Sequence, residues 1–254
     1  MLTLLPLLLF AAALAMIALC FARKVKFVTA LYSSAGLTVA AFFGTAAIID
    51  AVSGGNIIQE LIDAAMDDMR LMAASLAESG GQFGDVFSAA GISVTLDMMR
   101  ETYILLFPAL VIIITLLFFY LLYMFAKTIM RIAKKDVSFI PPYYMTRFSK
   151  TAAIALGTAF IGSLLVEHRG AAAALVNISV ILSGAAAFCG LALIEFHLRR
   201  RIRGGIMRVL LYFAVFIVFS WLQTIMYYAL TMTAAADAFL DFRSKTDKRN
   251  KDLL

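Results

Sequence analysis

Six stretches without a single charged residue govern what this chain can fold into: residues 1–22, 27–49, 102–126, 151–166, 170–194 and 209–236. They are 22, 23, 25, 16, 25 and 28 residues long. A helix needs roughly 20 apolar residues to cross a ~30 Å hydrocarbon layer. A charge at mid-span costs on the order of 3 kcal/mol. The shortest stretch reaches span length with Lys150 and Glu167, whose charged heads can snorkel. With 63% hydrophobic and 15% charged residues, the chain has too few polar side chains to cover a soluble fold. The runs are continuous rather than alternating, which excludes a closed barrel. The expected fold is all-α: a polytopic transmembrane bundle of about six spans forming one membrane domain over 1–254. The expected spans are 1–22, 27–49, 102–126, 150–167, 170–194 and 209–229.

The first stretch has no basic segment before it, and Arg23, Lys24 and Lys26 follow it, which favours a retained span over a cleaved signal. Leu19 before Cys20 also spoils a lipoprotein cleavage site. Cys20 and Cys189 are isolated in apolar surroundings and read as small packing residues.

Basic residues fall in alternate connections. Residues 23–26 hold three, the 127–149 loop with Lys150 holds six against Asp136, and 195–208 hold five against Glu195. Residues 50–101 hold nine acidic residues with only Arg70 and Arg100. The positive-inside rule then sets the three basic connections in the cytoplasm of a bacterial plasma membrane and 50–101 outside. The formal charge of +6 thus reflects topology. No basic folded surface with stacking aromatics is present, so nucleic acid is not an expected partner. The run Arg199, Arg200, Arg201, Arg203 reads as a topogenic anchor or as a contact for anionic lipid head groups.

Within 50–101, Ile58, Leu61, Ile62, Ala65, Met69, Met72 and Leu76 repeat at helical spacing and form an apolar stripe, with Glu60, Asp63, Asp67 and Asp68 away from it. Gly80-Gly81 breaks this helix, and a second stretch from Gln82 leads into the third span. The carboxylates need no metal; a solvated helix face accounts for them. His168 and His197 stand on opposite sides of the membrane and cannot share a metal. No catalytic triad, phosphate-cradling loop or cofactor motif occurs. The chain is therefore read as no enzyme, without catalytic residues, cofactor or metal.

Polar residues inside spans are costly and mark candidate sites. Asn177 and Gln223, the latter near Trp221, are either interhelical glue or groups facing a ligand in a central cavity. Glu195 lies eighteen residues after Asn177 on the same side of one helix, lining that cavity or pairing with Arg199 at i+4. Small residues at four-residue spacing (Ser179, Ser183, Ala187, and Ala155, Ala159, Ser163) suit close packing of the fourth and fifth spans. The segment Pro141, Pro142, Tyr143, Tyr144 and Arg147 is either a rigid interfacial turn or a docking loop for a cytoplasmic partner.

The order of these landmarks resembles the YybS family of bacterial membrane proteins: Pro108 early in a span, Ile140-Pro141-Pro142 with Arg147, Asn177 leading to Gly190-Leu191-Ala192, then Asp237 and Asp241-Phe242-Arg243. The likeness covers roughly 30–245. Members usually carry additional N-terminal spans, so the chain is expected to be shortened there, and Phe148-Ser149 stands where a further proline is often seen. The resemblance implies an architecture similar to the substrate-binding membrane subunits of energy-coupling-factor transporters, and some members are described with sporulation. It implies no established activity.

Two functional readings follow. The first is a transporter-like component binding a small solute near Asn177. The alternative is a non-catalytic interaction or scaffold protein with a membrane or cytoplasmic partner, using the proline turn and the outer stripe. At the C-terminus, 32 residues from Val209 to Leu240 are too few for two full crossings. A single span to about Tyr228, an interfacial helix through Asp237 and Phe242, and the polar tail 237–254 outside are favoured over a re-entrant pair turning near Ser220–Gln223.

Overall fold

The computed structural model describes residues 15–78, 89–202, 204–219 and 222–244. Its described residues form helices and turns, with no strand among them. Helix α1 covers the described residues 15–22. It is followed by α2 (Phe27–Ser53), α3 (Ile57–Glu78), α4 (Ala89–Ile132), α5 (Lys150–Leu165), α6 (Arg169–Arg201), α7 (Gly205–Phe219) and α8 (Gln223–Leu240). A 3₁₀ turn, Tyr143–Met145, precedes α5. Helices α2, α4 and α6 are long and apolar enough to cross a membrane, and α5 and α7 are shorter apolar helices. The expected break at Gly80-Gly81, the stretch from Gln82 and residues 1–14 of the first span lie outside the described residues, as do Arg203, Trp221 and the tail from Lys245.

The chain divides into two compact units. In the first, within 1–22 and 30–120, α2 ends at Gly54, which takes φ +69°, a left-handed geometry that glycine adopts at little cost. Asn56 then starts α3, its Oδ1 accepting the Gln59 N–H at 3.2 Å, as a helix N-cap does. Helix α3 packs on α4 through Ile58, Ile62 and Met66, set against Leu96, Met99, Tyr103 and Phe107. This line differs from the expected stripe. Leu61, Ala65, Met69 and Met72 are exposed, whereas Met66 is buried. The rotation brings charged residues of the two helices within reach of one another. It lets Asp63 take a two-pronged pair with Arg100, whose second arm is 3.0 Å long. It also lets Arg70 bridge Asp67 and Asp97 at 2.9 and 2.8 Å. The Arg100 guanidinium, by its hydrogen bond, holds the Asp63 carboxyl below its ordinary range. Pro108 lies inside the unbroken α4, where its ring nitrogen leaves the Ile104 carbonyl without its usual donor.

The second unit comprises 23–29 and the chain from Leu121 onward. Helix α4 stops at a Schellman-type cap. Lys135 N–H reaches Met130 O and Lys134 N–H reaches Arg131 O, with Lys134 at φ 56°. Asp136 then accepts from Ser138 N–H and its hydroxyl and pairs with Lys24 at 3.0 Å. These contacts, the Ser138 N–H first, hold the Asp136 carboxyl well below the usual aspartate range. Two basic connections that the sequence sets on one side therefore meet directly. Ser149 caps α5, accepting from Ala152 N–H, and His168 caps α6, accepting from Ala171 N–H.

Helix α6 is the hub, packing on α5, α8 and the 3₁₀ turn. Its small residues bring it close to α5, Ala186 and Cys189 packing with Ala152, Ala153 and Leu156; of the α5 residues expected at this seam, Ala159 is buried and Ala155 is exposed. Against α8 the contacts rise together along both helices. Ser183 meets Tyr227, Gly190 meets Leu230, and Phe196 meets Arg243. Helices α6 and α8 therefore run parallel, and the chain returns between them through α7. The last apolar stretch is carried by two helices where one span over 209–229 was favoured. At about 1.5 Å per residue, α7 is ~22 Å long and α8 ~27 Å, each short of the length assumed for a full crossing.

Candidate functional site at one end of the helix bundle

The proline turn, the end of α6 and the residues after α8 converge on one site. Pro142 opens the 3₁₀ turn in extended geometry, which its fixed φ suits. The Tyr143 hydroxyl donates to Phe188 O at 3.0 Å, and their rings meet edge-on at 4.9 Å. The Arg199 guanidinium lies 4.4 Å from the Tyr144 ring centre, an attractive cation–π geometry. Pro141 and Arg147 face outward and Tyr144 is half-buried.

Arg243 locks the turn from the other side. It is 1% exposed and donates through Nη1 to Tyr144 O at 2.7 Å and through Nη2 to Thr146 O at 2.9 Å. Its Nε lies 3.3 Å from Asp237 Oδ2, off the axis of a hydrogen bond. Asp237 is also buried, and its other oxygen accepts the Phe242 N–H at 3.0 Å. Asp241 ends α8 at φ 46°, which aspartate tolerates better than most residues, and it receives Arg147 at 3.1 Å. A buried charge needs a partner and hydrogen bonds, and this cluster supplies both.

These contacts bear on the expectation of a tail opposite the basic loop for residues 241–244 alone. Residues 241–244 share the end that holds the 143–147 turn, because the Arg243 donors reach the carbonyl oxygens of that turn. Residues 209–240 are divided between α7 and α8, which departs from the favoured single span and agrees with the alternative of a pair turning near Ser220–Gln223.

Glu195 is buried and sits at the same end. Arg199 Nε lies 2.7 Å from its Oε1, the i+4 pair anticipated from sequence. Arg208 approaches that oxygen at 3.4 Å, and the Tyr212 hydroxyl donates to Oε2 at 2.9 Å. Beside this cluster opens a cavity of about 650 Å³ whose wall includes Tyr143 and the aliphatic side chains of Val209 and Leu210.

Asn177 and Gln223 take no part in it. The α6–α8 register sets both at the opposite end, and Asn177 lies ~27 Å along the helix from Glu195. The Asn177 amide donates to Ala173 O of its own helix at 2.9 Å, and Gln223 is exposed at the start of α8. The cavity beside Glu195 is lined by neither Asn177 nor Gln223. His168 and His197 stand near opposite ends of α6, His197 bonding its own helix at Leu193 O. Arg208 and Tyr212 escaped the sequence reading. Their one signal was the position of Arg208 immediately before an apolar run.

No curated protein and no solved structure matches the chain. The family described as Predicted membrane protein (DUF2232) matches residues 1–237, and the chain belongs to that family.

Proposed function

We propose that this chain is a multi-pass protein of the bacterial plasma membrane that works without catalysis, by presenting the Pro141–Arg147 turn to a cytoplasmic protein partner. The observation that carries this reading is the fixation of that turn by buried Arg243. A surface segment held by a buried, paired arginine is preorganised, and preorganisation lowers the entropy lost on association. Pro141 and Arg147 face outward from it, as does Met145. The basic segments 23–26 and 127–149, joined through Lys24 and Asp136, support a cytoplasmic position for this end. The same order of motifs supports a finer placement beside the YybS family. A solute-binding role similar to energy-coupling-factor subunits draws less support, because Asn177, Gln223 and Glu195 do not gather about one cavity.

The test is photo-crosslinking in living cells from positions 141, 145 and 147, with Phe213 on α7 as a control. A discrete protein adduct from the turn, absent at Phe213 and lost when Arg243→Ala frees the turn, is the expected result. Equal adducts from Phe213, or none from the turn, would discard the proposal.

A further inference from the structure

The cavity beside Glu195 has a composition that the partner-docking role does not use. Its polar wall carries two guanidinium groups, Arg199 and Arg208, against one carboxylate, Glu195. The cluster therefore keeps a net positive charge. Its other wall is aliphatic: Ile206, Val209 and Leu210 on the first turns of α7. Ile206 is 81% exposed and Val209 67%, and the apolar face continues outward along α7 through Phe213 and Ile217, both exposed. Gly205 opens α7 at the cavity wall, where first-turn N–H groups have no acceptor within the helix and favour an anion.

We infer that this cavity is a binding site for one anionic phospholipid, its phosphate held between Arg199 and Arg208 and its acyl chains laid along Ile206, Val209 and Leu210. Charge alone would suit free phosphate equally well. The aliphatic wall decides for the lipid, because an isolated phosphate gains nothing from three exposed aliphatic side chains leading away from the arginines. The geometry also fits the place of the cavity in the chain, at the junction between the basic 195–208 segment and the apolar run that begins at Val209. Basic pockets between helices at a membrane surface recognise lipid head groups by this combination.

The full chain, purified in detergent and stripped of lipid, is titrated with phosphatidylglycerol, with phosphatidylcholine of the same acyl chains, and with inorganic phosphate. Bound species are resolved by native mass spectrometry. One phosphatidylglycerol is expected to bind in preference to phosphatidylcholine, and excess phosphate should not displace it. Arg199→Gln should weaken phosphatidylglycerol binding about fivefold. Arg200→Gln should leave it unchanged, since that side chain stacks on Phe196 and does not line the cavity. Both arginines pair with buried Glu195, so the thermal midpoint of each variant is measured beside its lipid binding; Arg199, the more exposed at 46% against 15%, carries the test. Equal affinity for the two lipids, displacement by phosphate, an unchanged Arg199→Gln protein, or the same loss with Arg200→Gln would each overturn the inference.

Discussion

Gly190 lies against Leu230 so closely that a β-carbon on it would overlap the Leu230 carbonyl oxygen. The obstacle is backbone, which no rotamer change can clear, so the parallel pairing of α6 and α8 depends on a hydrogen at this position. Close backbone approach is how helices associate where lipid offers no hydrophobic drive. Gly190→Ala should therefore destabilise the α6–α8 pair by about 1–3 kcal/mol, the usual cost of overpacking. A thermal melt in detergent will read this as a lowered midpoint, with Gly157→Ala on α5, where a β-carbon meets nothing within 4 Å, as the control. Equal midpoints for the two variants would show that the helices part without cost.

Removing Arg243 should free the proline turn. Arg243→Met keeps much of the side-chain volume but leaves Asp237 as a buried charge without its partner, a change that typically costs about 3–5 kcal/mol. Asp237→Asn also leaves a buried charge, that of Arg243, without its counter-ion, while the Asn carbonyl oxygen can still accept the Phe242 N–H. Hydrogen exchange is the discriminating readout. The Arg243→Met protein should lose protection at Met145 and Thr146, whose N–H groups are bonded within the turn, while α5 stays protected. Unaltered exchange at those two amides would remove Arg243 from its role.

Much of this architecture was legible in the residues, and the gaps have a common cause. The uncharged stretches marked the helical membrane fold, and the i+4 spacing of Glu195 and Arg199 foretold their pair, because both depend on local periodicity. The packing line of α3 did not show, since the choice of Met66 over Met69 goes with contacts across the α3–α4 pair that helical spacing alone does not carry. The division of 209–240 into α7 and α8 stood in the sequence only as the less favoured alternative, because a length rule for full crossings weighed against it. What reveals it is Gly190 with Leu230 and Arg243 with Tyr144, contacts between residues far apart in sequence. The tail carried a hint, with Asp237 and Arg243 close enough to share a site, but nothing in their spacing named the turn they hold.

The acidity of Asp136 gives a pH prediction with a definite sign. Its carboxyl is held below the ordinary value of 3.8 by Ser138 and Lys24. A depressed carboxylate contributes stability that is complete above the unfolded value and disappears as pH falls through the folded one. The infrared carboxylic-acid band assigned by subtracting the Asp136→Asn spectrum should thus be nearly absent at pH 3.8, where an ordinary aspartate is half protonated. A half-developed band at that pH would mean that the Lys24 and Ser138 contacts do not persist in solution.

Ser244 reports the path of the chain. Its hydroxyl donates to Asp241 O at 3.1 Å, and Asp241 in turn receives Arg147, so Ser244 belongs to the end that carries the 127–149 loop. If the positive-inside rule sets that loop in the cytoplasm, Ser244 is cytoplasmic too, with α7 crossing outward and α8 returning. The test uses a protein whose native Cys20 and Cys189 are replaced by serine and which carries Ser244→Cys. A membrane-impermeant thiol reagent should label it only after the cells are permeabilised, as it should a matching cysteine at Ser138. A cysteine at Gln59, in the acidic 50–101 segment, should label in intact cells and so report that the reagent reaches the outer face. Labelling of Ser244→Cys in intact cells, with Ser138→Cys still protected, would separate two sites that the Arg147–Asp241 and Arg243–Thr146 contacts hold together. It would force the single-span path for residues 209–240 in place of the α7–α8 return.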